Sequence, residues 1–221
     1  MVAEFIEDPG APVFFMSYWR PKRPSRFAGP PREPAVHVRR FFDDLTADVN
    51  DLIGAMPGRD PGFLDVAGSG GTQWRHKLLH AVGTSQVFVG LLSRPYLTSS
   101  PWCAREWDAF SRRRVIPRSA GADPAETAMV PVLWTPVRDR LPRTITEVDL
   151  FVPTGLPAEF AALYLEDGLL GLLKTGQDRV YQAIVWKLAM HVERIRRSYW
   201  VEPGVLGNTD GLRTSFDPGE E

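Results

Sequence analysis

Ser100-Pro101-Trp102-Cys103-Ala104-Arg105-Glu106 is the stretch that decides how this chain is read. Ser100 carries the hydroxyl of a good N-cap and Pro101 the fixed φ of a good first helical residue. The pair predicts a helix running to about Arg114. Trp102, Cys103, Trp107 and Phe110 fall on one helical face. Glu106 stands one turn after Trp102 and Cys103 and one turn before Phe110, at or beside that apolar stripe. A few residues upstream, Val87-Phe88-Val89-Gly90-Leu91-Leu92 reads as a buried strand. An acid on a helix just past the carboxyl end of a strand lies where open α/β sheets bind ligands.

Working outward, Val13 to Tyr18 reads as a short buried strand and Arg20 to Pro34 as a Pro/Arg-rich loop. Val38, Phe41, Phe42, Leu45, Val49, Leu52 and Ile53 recur with helical spacing, and Gly54 and Pro57-Gly58 close that helix. Phe63 to Val66 is a weak second strand. Trp74, Leu78, Leu79 and Val82 suggest a second helix, and Met129 to Trp134 is a further strand. Pro131 within it favours an edge position or a strand end. A turn-rich region follows, with Leu150-Phe151-Val152 as a candidate fifth strand. Tyr181, Ile184, Val185, Leu188, Val192 and Ile195 mark a long final amphipathic helix. Alternating strands and helices imply right-handed crossovers and a mainly parallel sheet. The domain reading is an extension over residues 1–10, one domain over 11–200 and a flexible tail over 201–221.

Composition narrows the function classes. A 221-residue chain with 43% hydrophobic and 24% charged residues is an ordinary globular composition. The formal net charge of -1 supplies no overall field for nucleic acid or an acidic membrane. Arg20-Pro21-Lys22-Arg23, Arg112-Arg113-Arg114 and Arg194-Ile195-Arg196-Arg197 are read as solvated loops and helix ends. The single cysteine, Cys103, excludes an intrachain disulfide and a cysteine-rich zinc site. Glu4, Glu7 and Asp8 interrupt any signal peptide, and no apolar run approaches the ~20 residues of a membrane helix. The expectation is a soluble cytoplasmic protein with neither membrane nor nucleic acid as partner.

Three segments together resemble a known family. The strand from Val87, Ser-Arg-Pro-Tyr (Ser93 to Tyr96), then Ser-Pro-Trp-Cys-x-x-Glu (Ser100 to Glu106), resembles the third strand and following helix of TIR (Toll/interleukin-1 receptor) domains. Val13-Phe14-Phe15-Met16-Ser17-Tyr18 resembles the family's first strand, and Pro131-Val132-Leu133-Trp134 its fourth. The likeness runs from Val13 to Tyr199 in the same order. It implies a flavodoxin-like, three-layer α/β fold whose five-stranded sheet has the order 2-1-3-4-5. Arg105 to Phe110 with Pro131 to Trp134 is further similar to TIR-like proteins encoded beside radical-SAM peptide-maturation enzymes in actinobacteria.

If strands one and three are neighbours, a crevice opens at their carboxyl ends. It receives Ser17, Tyr18, Trp19 and Arg20, Ser93 from strand three, and Trp102 and Glu106 from the helix beyond. The set suits a nucleotide: Tyr18 or Trp19 to stack a flat ring, Arg20 to pair a phosphate, Glu106 to accept from ribose hydroxyls. The resemblance places Glu106 on the glutamate that NAD-cleaving TIR domains require, with NAD+ as substrate and no resident cofactor. It implies signalling or defence in bacteria. It departs at Trp19, where some active members carry an arginine directly after the Ser-Tyr pair. The Gly68-Ser69-Gly70-Gly71-Thr72 loop fits neither a P-loop nor a Rossmann fingerprint. By position it resembles the TIR loop used for self-association. His76 and His80 share a helix face without the Glu of a zinc-protease motif, so no metal is expected. The rival expectations are a non-catalytic TIR-like scaffold and an accessory protein of a peptide-modification system.

Overall fold

β1 (Phe14–Tyr18) lies at the middle of a parallel sheet, between β2 (Gly62–Leu64) and β3 (Val87–Leu92). The computed structural model describes residues 10–20, 34–54, 60–65 and 72–217, with only the backbone of 34–35 and 72–74. The helices are α1 (Pro34–Ile53), α2 (Thr72–Thr84), α3 (Arg94–Ser99), α4 (Pro101–Ser111), α5 (Arg143–Thr146), α6 (Ala158–Lys174) and α7 (Asp178–Ser198). β4 (Val115–Pro117), β5 (Met129–Leu133) and β6 (Tyr199–Val201) complete the elements. The parallel sheet has the order β2-β1-β3-β5, and β4 pairs with β6 in a separate antiparallel ribbon. This is the flavodoxin-like α/β arrangement.

Strand alternation sorts the core into two layers of side chains. On β1, Phe14 meets Phe42 of α1, while Phe15 meets Phe63 and Phe88. Phe88 in turn packs on Trp107 and Phe110 of α4. Odd-numbered β1 residues and even-numbered β3 residues therefore face α4. The register sets Phe15 beside Phe88 and Ser17 beside Gly90. α1 packs against α7, and α2 against α4, so helices cover both faces.

Among the described residues the parallel sheet has four strands, where five were expected. The outer edge of β5 explains the difference. Phe88 N–H donates to Ala128 and Trp134 N–H to Leu92, so the even positions of β5 bond inward to β3. The odd positions face outward, and there Pro131 has no N–H to give. Tyr164 Oη takes the Leu133 N–H at 2.9 Å, and the Pro131 carbonyl accepts one bond from Phe151 N–H at 2.9 Å. With those groups satisfied, Leu150-Phe151-Val152 lies beside the edge through a single bond and forms no ladder.

The region read as turn-rich contains α6. Its helix breaks at Gly168 (φ 66°, ψ 172°), where a Cβ would stand 2.8 Å from the Trp134 carbonyl oxygen. That backbone is open to glycine almost alone. The break interrupts the helical period of the sequence.

Residues 202–217, read from composition as a flexible tail, pack on the domain. Arg113, in a run expected on the surface, turns inward and donates to the carbonyls of Val82, Ser85, Val201 and Glu202. Burial lowers its pKa to about 10. Farther along, Arg213 N–H donates to Asp108 Oδ2 at 2.9 Å and Thr144 Oγ1 to the Phe216 carbonyl at 3.0 Å. Phe216 is 2% exposed, stacked on Tyr96 at 5.4 Å and edge-on to Trp107 at 5.9 Å. Phe216→Ala is expected to cost about 3 kcal/mol, read as a lowered urea midpoint. An unchanged midpoint would return this segment to the solvent.

Candidate functional site at the carboxyl ends of β1 and β3

α4 begins as its sequence dictates. Ser100 Oγ accepts from the Cys103 N–H at 3.2 Å, and Pro101 opens the first turn. Trp107 and Phe110 anchor the helix on Phe88, so Glu106, one turn before Phe110, comes to rest over the end of β1. Ser17 Oγ donates to Glu106 Oε2 at 2.5 Å, and Tyr96 Oη donates to Ser17 Oγ at 3.2 Å. Glu106 is 9% exposed. Burial pushes its pKa from 4.5 up to about 7, against the opposing pull of the Ser17 bond and the nearby Arg20 charge.

The other expected residues take varied positions. Tyr18 is half-buried. Its hydroxyl donates to the Asp65 carbonyl at 3.0 Å, and burial raises its pKa. Arg20 forms an ion pair with the Asp65 carboxylate at the end of β2 and lies 5.3 Å over the Tyr18 ring. Tyr18, Arg20 and Asp65 thus form one cluster, with Asp65 pairing locally. Trp19 packs at the margin of the core. Trp102 is partly buried with the Arg105 guanidinium 5.3 Å over its ring. Ser93 is buried as the N-cap of α3, its oxygen accepting from Tyr96 N–H at 3.3 Å, which leaves it a structural role. Gly68 to Gly71 lie outside the described residues, and Thr72 opens α2.

Two residues that were not expected among the site residues border it, Tyr96 and Cys103. Tyr96, fully buried, closes the chain onto Ser17. The N-cap signal of Ser93 followed by Pro95 marks its short helix. Cys103 borders Glu106 and Ser17, and burial followed by the Glu106 charge drives its thiol far above the thiolate range. It is a core side chain with a held proton, unsuited to nucleophilic attack.

The layout is that of a doubly wound α/β domain with its polar residues gathered at the switch between β1 and β3. No protein-family model, no curated protein and no solved structure matches the chain. Among the described residues no helix is long and apolar enough to cross a membrane, and no group of three His, Cys, Asp or Glu side chains is arranged for a metal ion. A separate cavity of about 850 Å³ is lined by Leu52, Thr127, Met129, His191 and Arg194 among others. Its β5 contact is at the strand's amino end, so it lies at the opposite edge of the sheet.

Chemically, the carboxyl at 106 is poised between proton-bearing and charged forms near neutral pH. The folded chain holds its proton more tightly than the unfolded chain, where the pKa is near 4.5. Folding therefore takes up a proton between about pH 4.5 and 7, and stability falls as pH rises through that window. Glu106→Gln escapes this loss. Relative to wild type it is expected to gain up to about 3 kcal/mol between about pH 4 and pH 8, measured by urea unfolding at both. A stability difference independent of pH would mean that residue 106 titrates like a solvated acid.

Proposed function

We propose that this protein is a TIR-type domain that cleaves the bond between nicotinamide and ribose in NAD+ or a related nucleotide. The observation that carries the reading is the Ser17–Glu106 hydrogen bond at the carboxyl ends of β1 and β3, which puts a carboxyl of pKa about 7 at the usual ligand edge of such a sheet. The resemblance over Val13 to Tyr199 supplies the substrate class.

In the proposed reaction the C1′–N bond breaks and its electron pair neutralises the departing nicotinamide. Positive charge is left on the ribosyl carbon. Ionised Glu106 stabilises that cation, as carboxylates do in glycoside hydrolysis. Water then adds at C1′, and its proton passes to Glu106 or to solvent. Trp19 offers a ring face for the substrate, and Tyr18 offers one when Arg20 moves off its ring. Arg20 reaches a phosphate by leaving Asp65. Self-association through the Gly68 to Thr72 loop belongs to the same reading, as does a role in bacterial signalling or defence.

A second reading is favoured by a specific observation. Glu106 is only 9% exposed, and Arg20 is already paired with Asp65. Both facts suit a non-catalytic TIR-like scaffold, including an accessory of a peptide-modification system, in which the Ser17–Glu106 bond ties α4 to the sheet.

Nicotinamide release from NAD+ by concentrated protein separates the two. The enzyme reading expects release that rises with pH through about 7, as Glu106 ionises, and that drops at least 100-fold in Glu106→Ala. Absence of release at every concentration, with or without a crowding agent, would leave the scaffold.

A further inference from the structure

Ser17 is paired across the sheet with Gly90, and the space over Gly90 is filled by the end of the Tyr96 side chain. A Cβ at position 90 would meet Tyr96 Oη at 3.2 Å, Phe88 at 3.3 Å and Trp107 at 3.4 Å. The missing side chain is therefore what lets a fully buried tyrosine reach Ser17. One face of the ring is covered by Phe216, stacked at 5.4 Å. Tyr96 is clamped between the sheet and the carboxy-terminal segment, with its hydroxyl delivered to one partner, Ser17 Oγ at 3.2 Å.

We propose that Tyr96 is a positioning residue for Glu106: its hydroxyl, donated to Ser17 Oγ, commits the serine proton to the carboxylate and gives the chain Tyr96–Ser17–Glu106 one direction. Each hydroxyl proton of the chain needs an acceptor. In the forward direction Tyr96 donates to Ser17 and Ser17 donates to Glu106, so both hydroxyl protons have acceptors. The 2.5 Å Ser17–Glu106 distance falls within the range of an O–H donating to a charged oxygen. In the reverse direction a protonated Glu106 donates to Ser17 and Ser17 to Tyr96. The Tyr96 proton, on a side chain 0% exposed, then has no oxygen or nitrogen acceptor and only the weakly accepting Cys103 sulfur nearby, a costly arrangement. Tyr96 thereby favours the ionised carboxylate.

The groups facing Glu106 are Tyr18 and Arg20 from the end of β1, Cys103 from its own helix and Tyr96 from α3. Burial holds the Tyr96 and Cys103 protons far above neutral pH, so neither changes charge while Glu106 titrates. Arg20 pulls the same way as Tyr96 but is tied to Asp65, independently of the hydroxyl chain.

The assignment deepens the reading of Glu106 as the reactive carboxylate, yet its central measurement needs no turnover. The carboxyl of Glu106 is followed by 13C NMR in the 221-residue chain, identified by its loss in Glu106→Gln. Tyr96→Phe is expected to raise its midpoint by about one unit, since both directions of the chain become equivalent. Fluorotyrosine at position 96, which keeps the ring and strengthens the donor, is expected to lower it. In a Ser17→Ala background neither change at 96 moves the midpoint. An unshifted midpoint in either folded variant with Ser17 intact overturns the assignment. In the turnover arm, Tyr96→Phe is expected to slow nicotinamide release about fivefold at pH 7, with recovery near pH 9. Midpoint shifts without any wild-type release would uphold Tyr96 and refute the NAD+ reading. Release whose pH profile ignores Tyr96 would do the reverse.

Discussion

The pairing of β1 with β3, with Ser17 opposite Gly90, is the constraint on which the site depends. A slip of one residue would turn Ser17 to the α1 face and put Met16 beneath Tyr96. Aromatic packing holds the register: Phe15 lies against Phe88, and Phe88 against Trp107 and Phe110. The same contacts that build the core set the height of α4 over the sheet. Glu106 reaches Ser17 because Trp107 and Phe110 are seated.

A carboxyl this enclosed is expensive to ionise, and the fold answers with directed hydrogen bonds rather than a buried ion pair. Ser17 donates to it, Tyr96 supports Ser17, and the Arg20 charge stands near while bonded to Asp65. The resulting pKa of about 7 makes this group responsive in a range where most carboxylates are fully charged. The carboxy-terminal segment takes part from a distance. Arg113 gathers the carbonyls of Val82, Ser85, Val201 and Glu202, and Phe216 stacks on the Tyr96 ring.

Elements with an unbroken hydrophobic period were legible in advance: α1 from Val38 to Ile53, α7 from Tyr181 to Ile195, and the apolar runs of β1, β3 and β5. The N-cap at Ser100 marked the start of α4 to the residue, while its end falls at Ser111 and not near Arg114. α6 was missed because Gly168 breaks its period, and Leu150 to Val152 was overvalued because apolar character alone cannot show whether an edge has donors left to pair. The packed residues 202–217 were hidden by a composition of Gly, Asn, Thr and Asp, in which Phe216 is one aromatic without periodic neighbours. Of the expected site, Ser17 and Glu106 meet. Tyr18 and Arg20 gather with Asp65, and Ser93 is spent on a helix cap.

Local chemistry written along the chain determined the alternation of strands and helices, the start of α4 and the placing of Glu106 beside an apolar stripe, since caps and periods act over a few residues. The tertiary structure alone decided that Glu106 bonds Ser17 from 89 positions away, that Tyr96 fills the space over Gly90, and that Phe216 covers Tyr96. Those contacts arise from strand register and helix height, sums of many packing choices that no short window contains. The carboxyl's raised pKa follows from the same source, because burial belongs to the assembled fold.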